Sequence, residues 1–170
     1  MGDAEAIDVE SGCFDAVTAG FMIFFCPDPD RVLAEFARVL KPGGVVALST
    51  FDGTTPSAWL RQIGEELFGP SDDRPSEAFD RAEILDAALV HAGFAQPVGT
   101  DVIERFHFDS VAQVEQWHRS HFARLLLSAL DDDQLRLYRT RMAEFLEPDR
   151  LPDGRFEMVQ RARMTVARKQ

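Results

Sequence analysis

Cysteine, long apolar runs, basic charge and histidine are all scarce in these 170 residues, and each shortage excludes something. Cys13 and Cys26 alone cannot build a disulfide framework or a zinc site. Cys26 ends an apolar run, where a buried free thiol is the ordinary reading, and nothing else points to an oxidising compartment. That run, Phe21–Cys26, is the longest, and it is far short of the roughly 20 residues of a membrane helix. Met1-Gly2-Asp3-Ala4-Glu5 is acidic where a signal peptide is basic and then apolar. The expectation is a soluble, cytoplasmic chain with no membrane partner. Lys and Arg number 18 against 29 Asp and Glu, a net charge of −11, which argues against a nucleic-acid partner. Only the stretch after Arg150 is basic.

What is present is apolar material for a core. Hydrophobic residues make up 45% of a length that suits one domain. Phe14–Ala19 is short, apolar and followed by Gly20, a pattern that predicts a buried strand ending at a turn. Asp28-Pro29-Asp30 then opens a helix, with Asp28 as N-cap, Pro29 at the first position and Asp30 favourable to the dipole. Val32, Leu33, Phe36, Val39 and Leu40 share its apolar face. Lys41-Pro42-Gly43-Gly44 stops that helix and turns the chain into a second buried strand, Val45–Thr50. Strand, helix and strand within ~40 residues make a right-handed crossover between parallel strands.

Beyond Phe51 the pattern loosens. Trp59, Leu60, Ile63 and Leu67 predict a helix, and Gly69–Pro75 a loop. A further helix starts at Asp80, with Glu83 completing a capping box, and ends at Gly93. Val98–Phe108 reads as a strand, and Ser110–Leu130 as one helix. Asp131-Asp132-Asp133 resembles a magnesium trap on paper, but at a helix start it is better explained as a cap. From Arg155 to Lys169 apolar residues (Phe156, Met158, Ala162, Met164, Val166) alternate with Arg155, Glu157, Arg161, Arg163 and Thr165. Period two marks a half-exposed antiparallel strand, with the basic residues on its solvated side. The fold class is α/β: parallel strands first, an antiparallel strand last, and a helical subdomain. The sheet core is assigned to 1–53, 80–108 and 155–170, and helical insertions forming a cap to 54–79 and 109–154.

Four blocks follow one another at fixed spacing: Gly2-Asp3-Ala4-Glu5-Ala6, Phe14-Asp15-Ala16-Val17, Pro27-Asp28-Pro29 and Arg38-Val39-Leu40-Lys41-Pro42-Gly43-Gly44. Together they resemble the class I S-adenosylmethionine-dependent methyltransferases, in particular the small-molecule branch called type 11. The close match runs from Gly2 to Phe51. Ala92-Gly93-Phe94 is similar to the family's approach to its sixth strand, and Val166-Ala167-Arg168-Lys169 to its last. The resemblance implies a partial Rossmann-like sheet holding only the later strands. The cofactor would be S-adenosylmethionine and the acceptor a small molecule.

Carried onto this chain, the family's Asp-Ala-Glu block makes Asp3, Ala4 and Glu5 cofactor residues. Asp3 would accept the adenine amino group, and the Ala4 amide would meet a ring nitrogen. Taken alone, Asp3 and Glu5 read sooner as solvated or turn-capping, since short motifs match easily. Ala19, Gly20 and Phe21 follow the first strand's end, where open α/β sheets place ligands. Small residues there let a ligand approach the backbone, and an aromatic can pack near a sulfonium cation. Gly20 is otherwise a plain turn and Phe21 plain core. Phe24-Phe25 stands where many relatives carry histidine, and this apolar wall suits an apolar acceptor. Trp59, Trp117, His118 and His121 lie in the segments that relatives use as a substrate cover, though a Trp at helical spacing usually packs. His118 and His121 are three apart, but no carboxylate or thiol completes a metal site, and none is assigned.

Two departures shape the functional expectation. None of the 11 glycines forms a Gly-x-Gly, the family's cradle for the methionine end of the cofactor. The chain also begins almost at the Asp-Ala-Glu block, which follows the third strand in relatives. The resemblance therefore implies a truncated domain, with one edge of the 14–19 strand exposed to a supplied N-terminal half or to a second copy. Two functions compete. One is methyl transfer to a small, apolar molecule, with this chain supplying the adenine side and the substrate cover. The other is a non-catalytic interaction or dimerisation module.

Overall fold

The computed structural model describes residues 2–51, 57–69, 79, 81–120 and 123–170, the side chains of 57–61 excepted. Its elements are β1 (Phe14–Gly20), α1 (Pro29–Val39), β2 (Leu40–Phe51), α2 (Ser57–Phe68), α3 (Ala82–His91), β3 (Val98–Phe108), α4 (Val111–Arg119), α5 (Ala123–Ser128), α6 (Asp132–Leu146) and β4 (Phe156–Arg168). They form a four-stranded sheet in the order β1-β2-β4-β3, with β1 parallel and β4 antiparallel to β2. No described helix is long and apolar enough to cross a membrane.

The chain divides into two compact units, residues 1–54, 73–103 and 161–170 in the first and 55–72 and 104–160 in the second. In the first, α1 starts as its sequence dictates: the Asp28 carboxylate accepts the Arg31 N–H at 3.1 Å and Pro29 occupies the first turn. Val32, Leu33 and Phe36 then pack with Val46 and Leu48 of β2, Leu85 and Leu89 of α3, and Phe94. Each such burial is worth roughly 1.5–3 kcal/mol. In the second unit Ile63, Val114, Leu127, Tyr138, Met142, Phe156 and Met158 form a separate core. There Asp131 caps α6 in a reciprocal box with Gln134.

Several details differ from the sequence expectation. β1 has the free edge that the resemblance implies, but it is largely exposed rather than buried, with Ala19 its one fully buried residue. Among the described residues it pairs only with β2, and Phe14 is 43% exposed. Lys41–Gly44 does not separate helix from strand; it bulges out of β2 between the pairs Phe14↔Leu40 and Ala16↔Val45. Gly43 supplies φ +75 in that bulge. α3 is capped by Arg81 without a side-chain hydrogen bond, and Asp80 lies outside the described residues. Ser110–Leu130 holds two helices, α4 and α5.

The last strand changes phase. Phe156 and Met158 are buried, then Thr165 and Ala167, while Met164 and Val166 are 40% and 44% exposed. The two parts of the strand serve different cores: Phe156 and Met158 belong to that of the second unit and Ala167 to that of the first. Arg163 is accordingly not solvated. It pairs with Asp86 of α3 at 3.1 Å and Asp101 of β3 at 3.6 Å.

Candidate functional site

The Asp3–Ala6 segment folds into a tight turn. The Ala6 N–H donates to the Asp3 carbonyl at 3.2 Å, and the Glu5 N–H donates to Asp3 Oδ1 at 2.9 Å. Glu5 faces inward to the fold. Its Oε1 accepts the Asp28 N–H at 2.9 Å, and its carbonyl accepts Arg31 Nε–H at 2.8 Å. The turn is thereby seated at the N-terminus of α1, with Asp3 exposed and Ala4 half-buried against the core. Burial raises the Cys26 thiol pKa, and the nearby negative charges of Glu5 and Asp3 raise it further.

A second fastening holds the segment that follows. The Arg38 guanidinium donates to the carbonyls of Ile7 at 2.7 Å and Val9 at 2.8 Å while pairing with Glu35 at 2.7 Å. Glu35 in turn accepts the Ile7 N–H at 2.8 Å. The Arg38 hydrogen bond, then the Ile7 N–H, lower the Glu35 carboxyl to about 2. Neither residue was legible as part of a site, because Glu35 and Arg38 three apart on a helix read as a solvated pair. Only the tertiary fold brings the N-terminal segment to them.

At the C-terminal end of β1, Ala19 is buried and Gly20 exposed. Phe21 has φ +50, the only positive φ among the described non-glycine residues. Its N–H is shared between the carbonyl of Ser49 at 3.0 Å and the Ser49 hydroxyl at 3.1 Å. The Phe21 ring lies 4.8 Å from that of Phe51, which is 5.5 Å from Phe24; Phe24 in turn is 4.7 Å from Phe25. Phe24 belongs to the core, whereas Phe25 is 58% exposed. Ser49 and Phe51 were missed because nothing in a strand's last residues tells which loop they will touch.

The remaining candidates fall elsewhere. His121 and the Trp59 side chain lie outside the described residues. His118 is buried in the second unit, where its Nδ1 and the Tyr138 hydroxyl share a hydrogen bond of 2.8 Å. Burial pushes the Tyr138 hydroxyl well above its ordinary pKa. Trp117 packs on Phe106 and Phe108 at 5.8 and 5.7 Å.

Residues 1–48 match the family described as methyltransferase domain. Over 44 residues the chain is 52% identical to the ubiquinone/menaquinone biosynthesis C-methyltransferase of Acidiphilium cryptum, covering 26% of this chain and 18% of that one. Over 97 residues it is 30% identical to the malonyl-[acyl-carrier protein] O-methyltransferase of Nitrosospira multiformis, covering 57% and 30%. A solved Bacillus halodurans protein, described as a candidate methyltransferase, shares the fold. Its TM-score is 0.65 at 19% identity, over 99% of this chain and 75% of that one. The first 48 residues are thus similar to a methyltransferase domain, and the likeness to the solved structure shows the fold. The chain spans between 18% and 36% of the length of the curated relatives it matches.

The family's cofactor, S-adenosylmethionine, can be tested against the residues present. The adenine edge offers an amino group as donor and a ring nitrogen as acceptor. Asp3 keeps Oδ2 outside its own turn, and among the described residues the Ala4 N–H has no hydrogen-bond partner. An acceptor and a donor side by side fit that edge. This fit concerns the adenine edge.

Proposed function

We propose that the chain takes part in S-adenosylmethionine-dependent methyl transfer to a small, apolar molecule, supplying the adenine side of the site and part of the acceptor's surroundings. The observation that carries this reading is the seating of Asp3 and Ala4 on the N-terminus of α1 through Glu5. Asp3 accepts the adenine amino group and the Ala4 N–H donates to the ring. Gly20 leaves room at the end of β1, since a side chain there would meet only Ser49 Oγ at 3.6 Å. The exposed rings of Phe21 and Phe25, backed by the buried Phe24, present apolar surface to an acceptor. When bound, the cofactor supplies an activated methyl group. The protein's share is to hold and align the reactants, and alignment furnishes much of the rate when the acceptor is already nucleophilic. The family's helical cover corresponds in sequence to residues 54–79 and 109–154. A thermal-shift series tests the reading: S-adenosylhomocysteine should raise the melting temperature of the wild type and leave Asp3→Ala unmoved. An equal shift in both proteins contradicts it.

A second reading, an interaction module, draws on the outer edge of β1. Its backbone groups have no strand partner among the described residues. Ala16, Thr18, Val45, Ala47, Met164 and Val166 line one sheet face by register, and the opposite face carries the core. Sheets with parallel strands are ordinarily covered on both faces, so a second polypeptide pairing along β1 suits this strand. That partner is a second copy of this chain or another polypeptide that offers a strand. A single monomeric species in light scattering at 100 micromolar or so would rule out the second copy.

A further inference from the structure

Phe21 is the structure's sharpest local anomaly. A bulky side chain at φ +50 is strained, and such strain gathers at ligand sites. Glycine or asparagine would make the same turn with little strain. Nor does the core require the ring, which is 36% exposed. The strained residue is nevertheless held by two acceptors on one neighbour, the carbonyl and the hydroxyl of Ser49. The hydroxyl bond is an addition to the strand ladder and depends on the side chain at position 49. The Phe21 ring then rests against Phe51 with 34° between their planes. Phe51 ends β2 and Phe21 follows β1, so both rings stand at the C-terminal ends of adjacent parallel strands, where open α/β sheets receive ligands.

We propose that Phe21 and Phe51 form an aromatic ledge that receives the face of a planar aromatic molecule, and that Ser49 is the positioning residue that sets the ledge. This names the acceptor class for the methyl-transfer reading and rests on that reading's ligand mouth. The physical basis is that aromatic faces prefer offset or edge-to-face contact with another π system, beyond what apolar area gives. A saturated molecule of the same size gains the area term alone. Ser49 touches no ligand in this scheme; it acts through the Phe21 N–H.

The test uses two probes of matched size, 2-naphthol and decahydro-2-naphthol, titrated into the whole chain and followed through the amide resonances of Phe21, Ser49 and Phe51. Naphthol should bind about tenfold more tightly than its saturated counterpart, with shifts centred on those amides. Phe21→Leu keeps apolar bulk and should bring the two probes within about twofold of each other. Ser49→Ala should reduce the preference in the same direction, and Ser49→Thr, which keeps the hydroxyl, should restore it. Equal binding of both probes by the wild type overturns the proposal, as does a preference that survives Phe21→Leu. No cofactor is present in this titration. Failure here therefore counts against the ledge, while failure of S-adenosylhomocysteine to bind counts against the adenine reading.

Discussion

The Glu5 carboxylate accepts the Asp28 N–H at 2.9 Å across 23 residues of sequence, tying the Asp-Ala-Glu turn to the residue that caps α1. Glu5 thus serves the site by holding it. The resemblance implies a cofactor role for Glu5, and its carboxylate also fastens the turn to α1. Asp3 and Ala4 remain the pair that face outward.

Removing that tie should loosen the turn without touching the groups proposed to meet adenine. Glu5→Ala loses a charge-assisted hydrogen bond, so S-adenosylhomocysteine should bind about tenfold more weakly while the affinity remains measurable. Isothermal titration reads this directly. An unchanged dissociation constant would show that the seat on α1 does not matter for binding.

The Glu35–Arg38 clasp makes a pH-dependent prediction. Glu35 titrates at about 2 in the fold against an ordinary 4.5, because Arg38 and the Ile7 N–H favour the carboxylate. A depressed carboxyl contributes stability above its unfolded pKa and loses it as pH falls toward the folded one. The Ile7 amide should therefore keep its hydrogen-bonded chemical shift at neutral pH and lose it between about pH 4.5 and 2. In Glu35→Gln that acid transition should be missing. The pair is exposed enough that the global melting temperature should move little at neutral pH.

Two glycines should respond in opposite ways to alanine. A Cβ on Gly44 would lie 2.9 Å from the Lys41 carbonyl and 3.2 Å from that of Asp15, so Gly44→Ala should destabilise by about 1–3 kcal/mol in urea denaturation. A Cβ on Gly20 meets only Ser49 Oγ at 3.6 Å, and Gly20→Ala should change stability by less than about 0.5 kcal/mol. If a ligand approaches the backbone at Gly20, that variant should nonetheless bind S-adenosylhomocysteine more weakly. A variant that binds as well as the wild type would take Gly20 out of the site.

In the helical unit the pair to probe is His118 and Tyr138, joined at 2.8 Å and both buried. Tyr138→Phe removes one partner of a buried hydrogen bond and should cost about 1–2 kcal/mol, read from urea unfolding by tryptophan fluorescence. Catalysis is not expected to depend on it. A variant as stable as the wild type would mean that the bond contributes nothing net.

Much of the architecture was legible because local chemistry and tertiary packing agree there. Asp28-Pro29 starts α1 and Asp131 with Gln134 starts α6, each from a signal held within four residues. The apolar stripe of α1 became core without exception. Legibility failed where a residue's partner is distant in sequence. The change of phase along β4 depends on which core each half of the strand meets, so Met164 and Val166 read as buried and are exposed. Arg163 read as solvated because nothing near it in sequence reveals Asp86. The site divides in the same way. Asp3 and Ala4 enter the proposed site through the resemblance that a short local block carries, whereas the contacts of Arg38, Ser49 and Phe51 exist only once the parallel crossover is folded.

The central claim is that Asp3 and the Ala4 amide read the adenine edge, and the most direct test compares two nucleosides in calorimetric titrations of the chain. Adenosine presents an amino donor and a ring-nitrogen acceptor. Inosine presents a carbonyl oxygen and a ring N–H in their place, which sets acceptor against carboxylate and donor against amide. Adenosine should bind at least about tenfold more tightly than inosine, and Asp3→Ala should erase the difference. Equal affinities for the two nucleosides, or a preference for adenosine that persists in Asp3→Ala, would contradict the account.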